Sequence, residues 1–175
     1  ADLWSPNGIP YQPIRILLLG LSKDDQARAA LRGYVDRVAD RNWTTNLGAF
    51  ATALVEIDAV AGVTRLESKL LSDASQPLDK LEQAIEALAI HNDVGAPELQ
   101  SAIDGAVARL VKERPETAAL VARQFGDRQD WSQADALEPA VMSGAFSNSQ
   151  DLLRVAMYVA QGRKAARKVG PTSGD

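Results

Sequence analysis

Pro77, Pro97 and Pro115 each stand just ahead of an apolar pattern with helical period, and this most limits what the chain can fold into. Proline has a fixed φ and no N–H, so it suits the first turn of a helix and ends the element before it. After Pro77 the apolar residues are Leu78, Leu81, Ile85, Leu88 and Ala89. After Pro97 they are Leu99, Ala102, Ile103, Ala106, Val107 and Leu110, and after Pro115 they are Ala118, Leu120, Val121 and Phe125. Gaps of three and four residues line one face of an α-helix. The expectation is therefore helices of limited length, broken at tight turns.

The same period extends to both sides. Ser22 with Asp25 makes an S-x-x-D start, followed by Ala27, Ala30, Leu31, Tyr34, Val35, Val38 and Ala39. After Trp43 a helix carries Leu47, Phe50, Ala51, Leu54, Ile57 and Ala61, with Gly62 as its expected break. Val63, Leu66, Leu70 and Leu71 continue it as a shorter piece. A short helix follows Trp131 through Val141 and Met142. Ser147 with Gln150 opens the last, which carries Leu152, Leu153, Val155, Ala156, Val159 and Ala160.

The run 13–21 fits a short, fully buried helix, with Pro13 at its first position and Gly20 just past its end. A buried strand is the alternative, because period cannot decide so short a run. Nothing else resembles a partner strand, and aromatic residues make up only 5% of the chain, which disfavours sheets. Residues 1–12 read as an extended arm that Trp4 and Tyr11 could pin, 13–169 as a single helical domain, and 170–175 as a disordered tail. The expected fold class is all-α: eight or nine helices in an irregular stack of helical hairpins, either a solenoid or a bundle.

Helix pairs start near Asn46, Pro77, Pro115 and Asn148, in the length regime of helical-hairpin repeats. The stretch "WTTNLGAFA" is one residue off the tetratricopeptide spacing, and Val60, Thr64 and Glu67 do not match the later positions of that pattern. The chain instead resembles a HEAT-like helical repeat at the level of architecture. That resemblance implies scaffolding, with a groove or face presented to a protein partner.

Several chemistries are excluded or left unsupported. Without Cys there are no disulfides, thiolate metal sites or Cys nucleophiles. His91 is the only histidine. Neither H-E-x-x-H nor paired Glu-x-x-His occurs, and the EF-hand, P-loop, G-x-G-x-x-G and G-x-S-x-G patterns are absent. Asp24-Asp25 suits a helix start, and Glu56 and Asp58 diverge on a helix. No catalytic residue, metal or cofactor is called for. His91 reads as a polar residue near a helix end, where an imidazole meets backbone carbonyls. No 18-residue apolar stretch exists, so no membrane-spanning helix is expected. Cytoplasmic and exported locations fit equally well.

Two pieces carry the candidate partner-binding residues. "VADRNWTTNLGAF" holds Arg41 and Trp43, and "FGDRQDWSQADAL" holds Arg128 and Trp131. Each reads as a turn between helices, capped by Thr44 or Thr45 in one and Ser132 in the other. Each Trp is expected to be largely buried at the corner, with its Arg beside the indole or on the last carbonyls. Tyr34 and His91 join Trp43 and Arg41 in an alternative reading, a small-molecule or enzymatic pocket between helices. Arg154, Arg163, Lys164, Arg167 and Lys168 make the C-terminal helix basic and open a third reading, association with an anionic surface or nucleic acid. Without Arg163, Lys164, Arg167 and Lys168 the chain has fifteen basic against twenty-three acidic residues, which argues against a general nucleic-acid surface.

Overall fold

The structure is a computed structural model that describes residues 12–22, 24–39, 45–144 and 146–169. Among them are nine α-helices and no strand. In chain order these are α1 (Gln12–Gly20), α2 (Asp25–Ala39), α3 (Leu47–Asp58), α4 (Val60–Leu66), α5 (Leu78–Val94), α6 (Pro97–Glu113), α7 (Ala118–Gly126), α8 (Ala134–Ser143) and α9 (Ser149–Val169). A π-helical turn, Glu67–Leu71, follows α4, and a 3-10 turn, Pro115–Thr117, precedes α7. The contacts of the described residues gather into two compact units, one up to Ala106 and one from Val107, so the division falls within α6.

In the first unit α3 is the hub, packed against α1, α2, α4 and α5. It can be central because Leu47, Phe50, Ala51, Ala53, Leu54 and Val55 are all buried, which leaves little polar face. α1 crosses it closely at Gly20, where a Cβ would lie 2.8 Å from the Ala53 Cβ. The helix expected over 13–21 is thus present, but it is not fully buried. Ile16 and Gly20 are covered, while Ile14, Leu17, Leu18 and Leu21 are exposed. Gln12, expected in the arm, is its first residue.

The break expected at Gly62 falls at Ala59 instead, which takes φ 47° and ψ −122°. Gly62 has a different task. The chain doubles back so tightly that a Cβ on Gly62 would sit 2.7 Å from the Leu54 carbonyl oxygen. Conformational freedom is needed at one residue and close approach at the other, and sequence period does not tell the two apart.

Two ion pairs clamp α2 across this corner. The Arg32 guanidinium grips Asp58 through both carboxylate oxygens, with Nε–Oδ2 at 2.6 Å. Arg65 grips Asp36 the same way, with Nε–Oδ1 at 3.0 Å. Hydrogen bonds from these guanidiniums hold both carboxyls below the ordinary carboxylate range. At the start of α5, Lys80 is almost completely buried, and its Nζ donates to Gln76 Oε1 at 3.1 Å. Gln76 in turn donates to Asp73 at 2.8 Å.

In the second unit α9 is the hub, packed against α7 and α8. Val155, Tyr158, Val159 and Gly162 form its buried stripe. A Cβ on Gly162 would lie 2.3 Å from the Ala134 Cβ, so this glycine sets how closely α9 meets the start of α8.

Several local expectations are corrected. Asp24, and not Ser22, caps α2, by accepting the Gln26 N–H at 2.8 Å. Asn148, and not Ser147, opens α9. Its Oδ1 accepts the Asp151 N–H at 2.8 Å while its Nδ2 donates back to Asp151 at 2.7 Å. Ala30, Ala61, Leu78, Leu152, Leu153 and Ala160, expected on inner faces, are exposed. At these positions the period was right but the buried arc was narrower than the apolar arc, as happens when a helix is covered on one side only.

Candidate interaction groove

The turn "GDRQDWSQ" has a definite construction. α7 ends in a Schellman motif, in which the Asp130 N–H reaches the Phe125 carbonyl at 3.1 Å and the Gln129 N–H reaches Gly126 at 2.9 Å. The motif needs a left-handed residue at Gln129, where φ is 57°. The Asp130 carboxylate then accepts the Ser132 N–H at 2.9 Å and turns the chain toward α8. Ser132, expected as the cap, instead accepts from the Gln133 side chain. Arg128 Nη1 donates to the Gln124 carbonyl at 2.7 Å, so it meets the helix end and not the indole.

Tyr158 closes the turn from α9. Its hydroxyl donates to the Asp130 carbonyl at 2.6 Å and accepts the Gln133 N–H at 3.3 Å. Its ring meets Trp131 at a centroid distance of 5.2 Å and a tilt of 56°, a favourable aromatic geometry. Gly126 makes room for both rings, with the nearest Tyr158 carbon 3.4 Å from where a Cβ would be. Trp131 is partly buried and not largely buried as expected.

The uncovered side of Trp131 opens onto a shallow groove of about 460 Å³. Trp131 and Gly126 line one wall. Arg154, Met157, Tyr158 and Gln161 line the other, at the i, i+3, i+4, i+7 positions of one face of α9. Arg154 is exposed, 3.4 Å from Asp151, and Met157 is 58% exposed. The spacing of these four residues was visible in the sequence. Their role was not: Val155 and Val159 are buried as expected, but Leu152, Leu153 and Ala160 drew the expected inner face away from Tyr158 and Gly162.

The remaining candidates do not converge here. Trp43 and Arg41 lie outside the described residues, as do Trp4, Tyr11 and Thr44. Thr45, the other expected cap, does not act as one. Asn46 precedes α3 in a left-handed conformation without a side-chain cap, and the Gly48 N–H is taken by Gln83 of α5 at 3.1 Å. Tyr34 is buried, stacked on Phe50 at 3.4 Å, and donates to the Thr45 carbonyl at 2.6 Å. Burial raises its phenol above the ordinary value. His91 is buried too. Its Nδ1–H donates to the Ala87 carbonyl at 2.9 Å, and Nε2 lies 3.4 Å from Glu56. Arg163 pairs with Glu138. Lys164, Arg167 and Lys168 are exposed on α9, with no carboxylate at ion-pair distance among the described residues.

Among the described residues no group of three or more His, Asp or Glu side chains could hold a metal ion, and no helix is long and apolar enough to cross a membrane. A second hollow in this unit, about 340 Å³, has Val111, Lys112, Pro115, Pro139, Ala140 and Ser143 among its lining residues. In the first unit a hollow of about 220 Å³ lies by Leu17, Ala49, Thr52, Glu86 and Ile90. Comparison with protein-family models, with curated proteins and with solved structures finds no match to this chain.

Proposed function

We propose that the chain is a non-catalytic helical module that binds another protein, and that the groove between Trp131 and α9 is its contact face. One observation carries this reading. Trp131, Tyr158, Arg154 and Met157 stand together around a single open concavity. Trp, Arg and Met are enriched at protein interfaces, and Trp and Arg are frequent binding hot spots, while the buried Tyr158 holds the floor of the groove in place. The groove is shallow, which suits a protein surface better than the enclosure of a small molecule. It also rests on rigid elements, since the turn beneath it is tied by Tyr158 and the Schellman bonds.

The test is site-specific photo-crosslinking in the native host, with the reactive side chain at position 157 and a control at exposed Asp135 on α8. A discrete protein adduct at 157 that is absent at 135 is the expected outcome. A small-molecule adduct at 157, or equal labelling at both positions, overturns the reading.

A further inference from the structure

The outward face of α9 continues from the groove. Leu153, Met157, Ala160, Lys164 and Arg167 are all exposed, at steps of four, three, four and three residues. This is the spacing at which one helix meets another along a shared seam. The strip is divided in two. Its first half is apolar, with Leu153 60% and Met157 58% exposed. Its second half is basic, with Lys168 beside Lys164 and Arg167.

Building on the groove as a protein-binding face, we infer that its partner is an amphipathic helix with an apolar half and an acidic half. The apolar half lies over Leu153, Met157 and Ala160 and places a side chain into the groove beside Trp131. The acidic half lies over Lys164, Arg167 and Lys168. Charge complementarity selects this partner, because these three cations have no carboxylate at hand among the described residues. An anionic membrane fits less well. The rest of the chain, without Arg163 and these three, carries fifteen basic against twenty-three acidic residues, which such a surface repels. The concavity beside Trp131 also matches a projecting side chain better than a flat bilayer.

The experiment uses the full chain to select from a display library of 21-residue helix-patterned peptides with randomised seam and flank positions. The expected winners carry Leu, Ile, Met or Phe in one half and Asp or Glu in the other. Their affinity falls at least tenfold with Met157→Asp, and likewise with the triple variant Lys164→Glu, Arg167→Glu, Lys168→Glu. A peptide with Lys in place of its acids recovers binding to the triple variant. These side chains are exposed, so far-UV circular dichroism of the variants is expected to match the parent. Peptides that bind and are lost with Met157→Asp, yet show no excess of acids and are indifferent to the triple variant, overturn the acidic helix and leave the groove reading standing. Binding that survives Met157→Asp, or no retained peptide, overturns both. Sedimentation of the chain with phosphatidylserine vesicles, without peptide binding, assigns the strip to a membrane and also overturns both.

Discussion

Tyr158 holds Asp130 by its backbone and not by its side chain: the phenol donates to the Asp130 carbonyl at 2.6 Å. The same hydroxyl accepts the Gln133 N–H, so one side chain serves two polar groups of the turn. In the first unit Tyr34 does similar work on the Thr45 carbonyl, just ahead of α3. The Thr45 and Asp130 carbonyls are therefore each held by a buried tyrosine from another helix. Tyr158→Phe is expected to cost about 1–2 kcal/mol, since it leaves a backbone donor and an acceptor unserved. Tyr34→Phe keeps the stack on Phe50 and is expected to cost about 1 kcal/mol. Urea denaturation of the two variants checks both.

Gln129 occupies the left-handed position of the Schellman motif, where glycine is the usual residue. Gln129→Gly is expected to raise stability by about 1 kcal/mol, because relief of the left-handed strain exceeds the added freedom of the unfolded chain. An unchanged or lower thermal midpoint would contradict the assigned turn.

Ala59 carries a rarer conformation, φ 47° with ψ −122°. Ala59→Gly is expected to stabilise by about 1 kcal/mol or more. Gly62→Ala is expected to do the opposite, by about 1–3 kcal/mol, because its new methyl meets the Leu54 carbonyl. Opposite signs three residues apart in the same denaturation experiment distinguish this corner from a simple glycine break.

The acid limb of stability reports the two clamps. Arg65 and Arg32 hold Asp36 and Asp58 below their ordinary pKa. Their contribution is complete above the ordinary carboxylate range, near pH 4, and is lost as pH falls through the lowered values. Both pairs are partly exposed, so each is worth under about 1 kcal/mol. The double variant Asp36→Asn, Asp58→Asn is expected to flatten the slope of stability against pH below about pH 4. An unchanged slope means the pairs do not persist in solution.

What the sequence determined by itself was the number, kind and approximate place of the helices. Pro77, Pro97 and Pro115 and the three-and-four spacing act within a single turn, so they remain legible without tertiary information. The sequence also marked the turn at Trp131 as a joint, while Trp43 lies outside the described residues. It did not show how that joint was made. Ser22, Ser147, Thr45 and Ser132 were plausible caps, yet Asp24, Asn148, Gln83 and Asp130 took the bonds; three of these are local choices among adjacent acceptors, and only Gln83 needed a neighbouring helix to dock. The side of each helix that faces inward was likewise a tertiary decision. α9 has apolar residues on most of its circumference, and only contact with Gly126, Trp131 and Ala134 turned Tyr158 and Gly162 inward. With that face turned inward, Leu153 and Met157 face out, and Gly162 allows the close approach to Ala134.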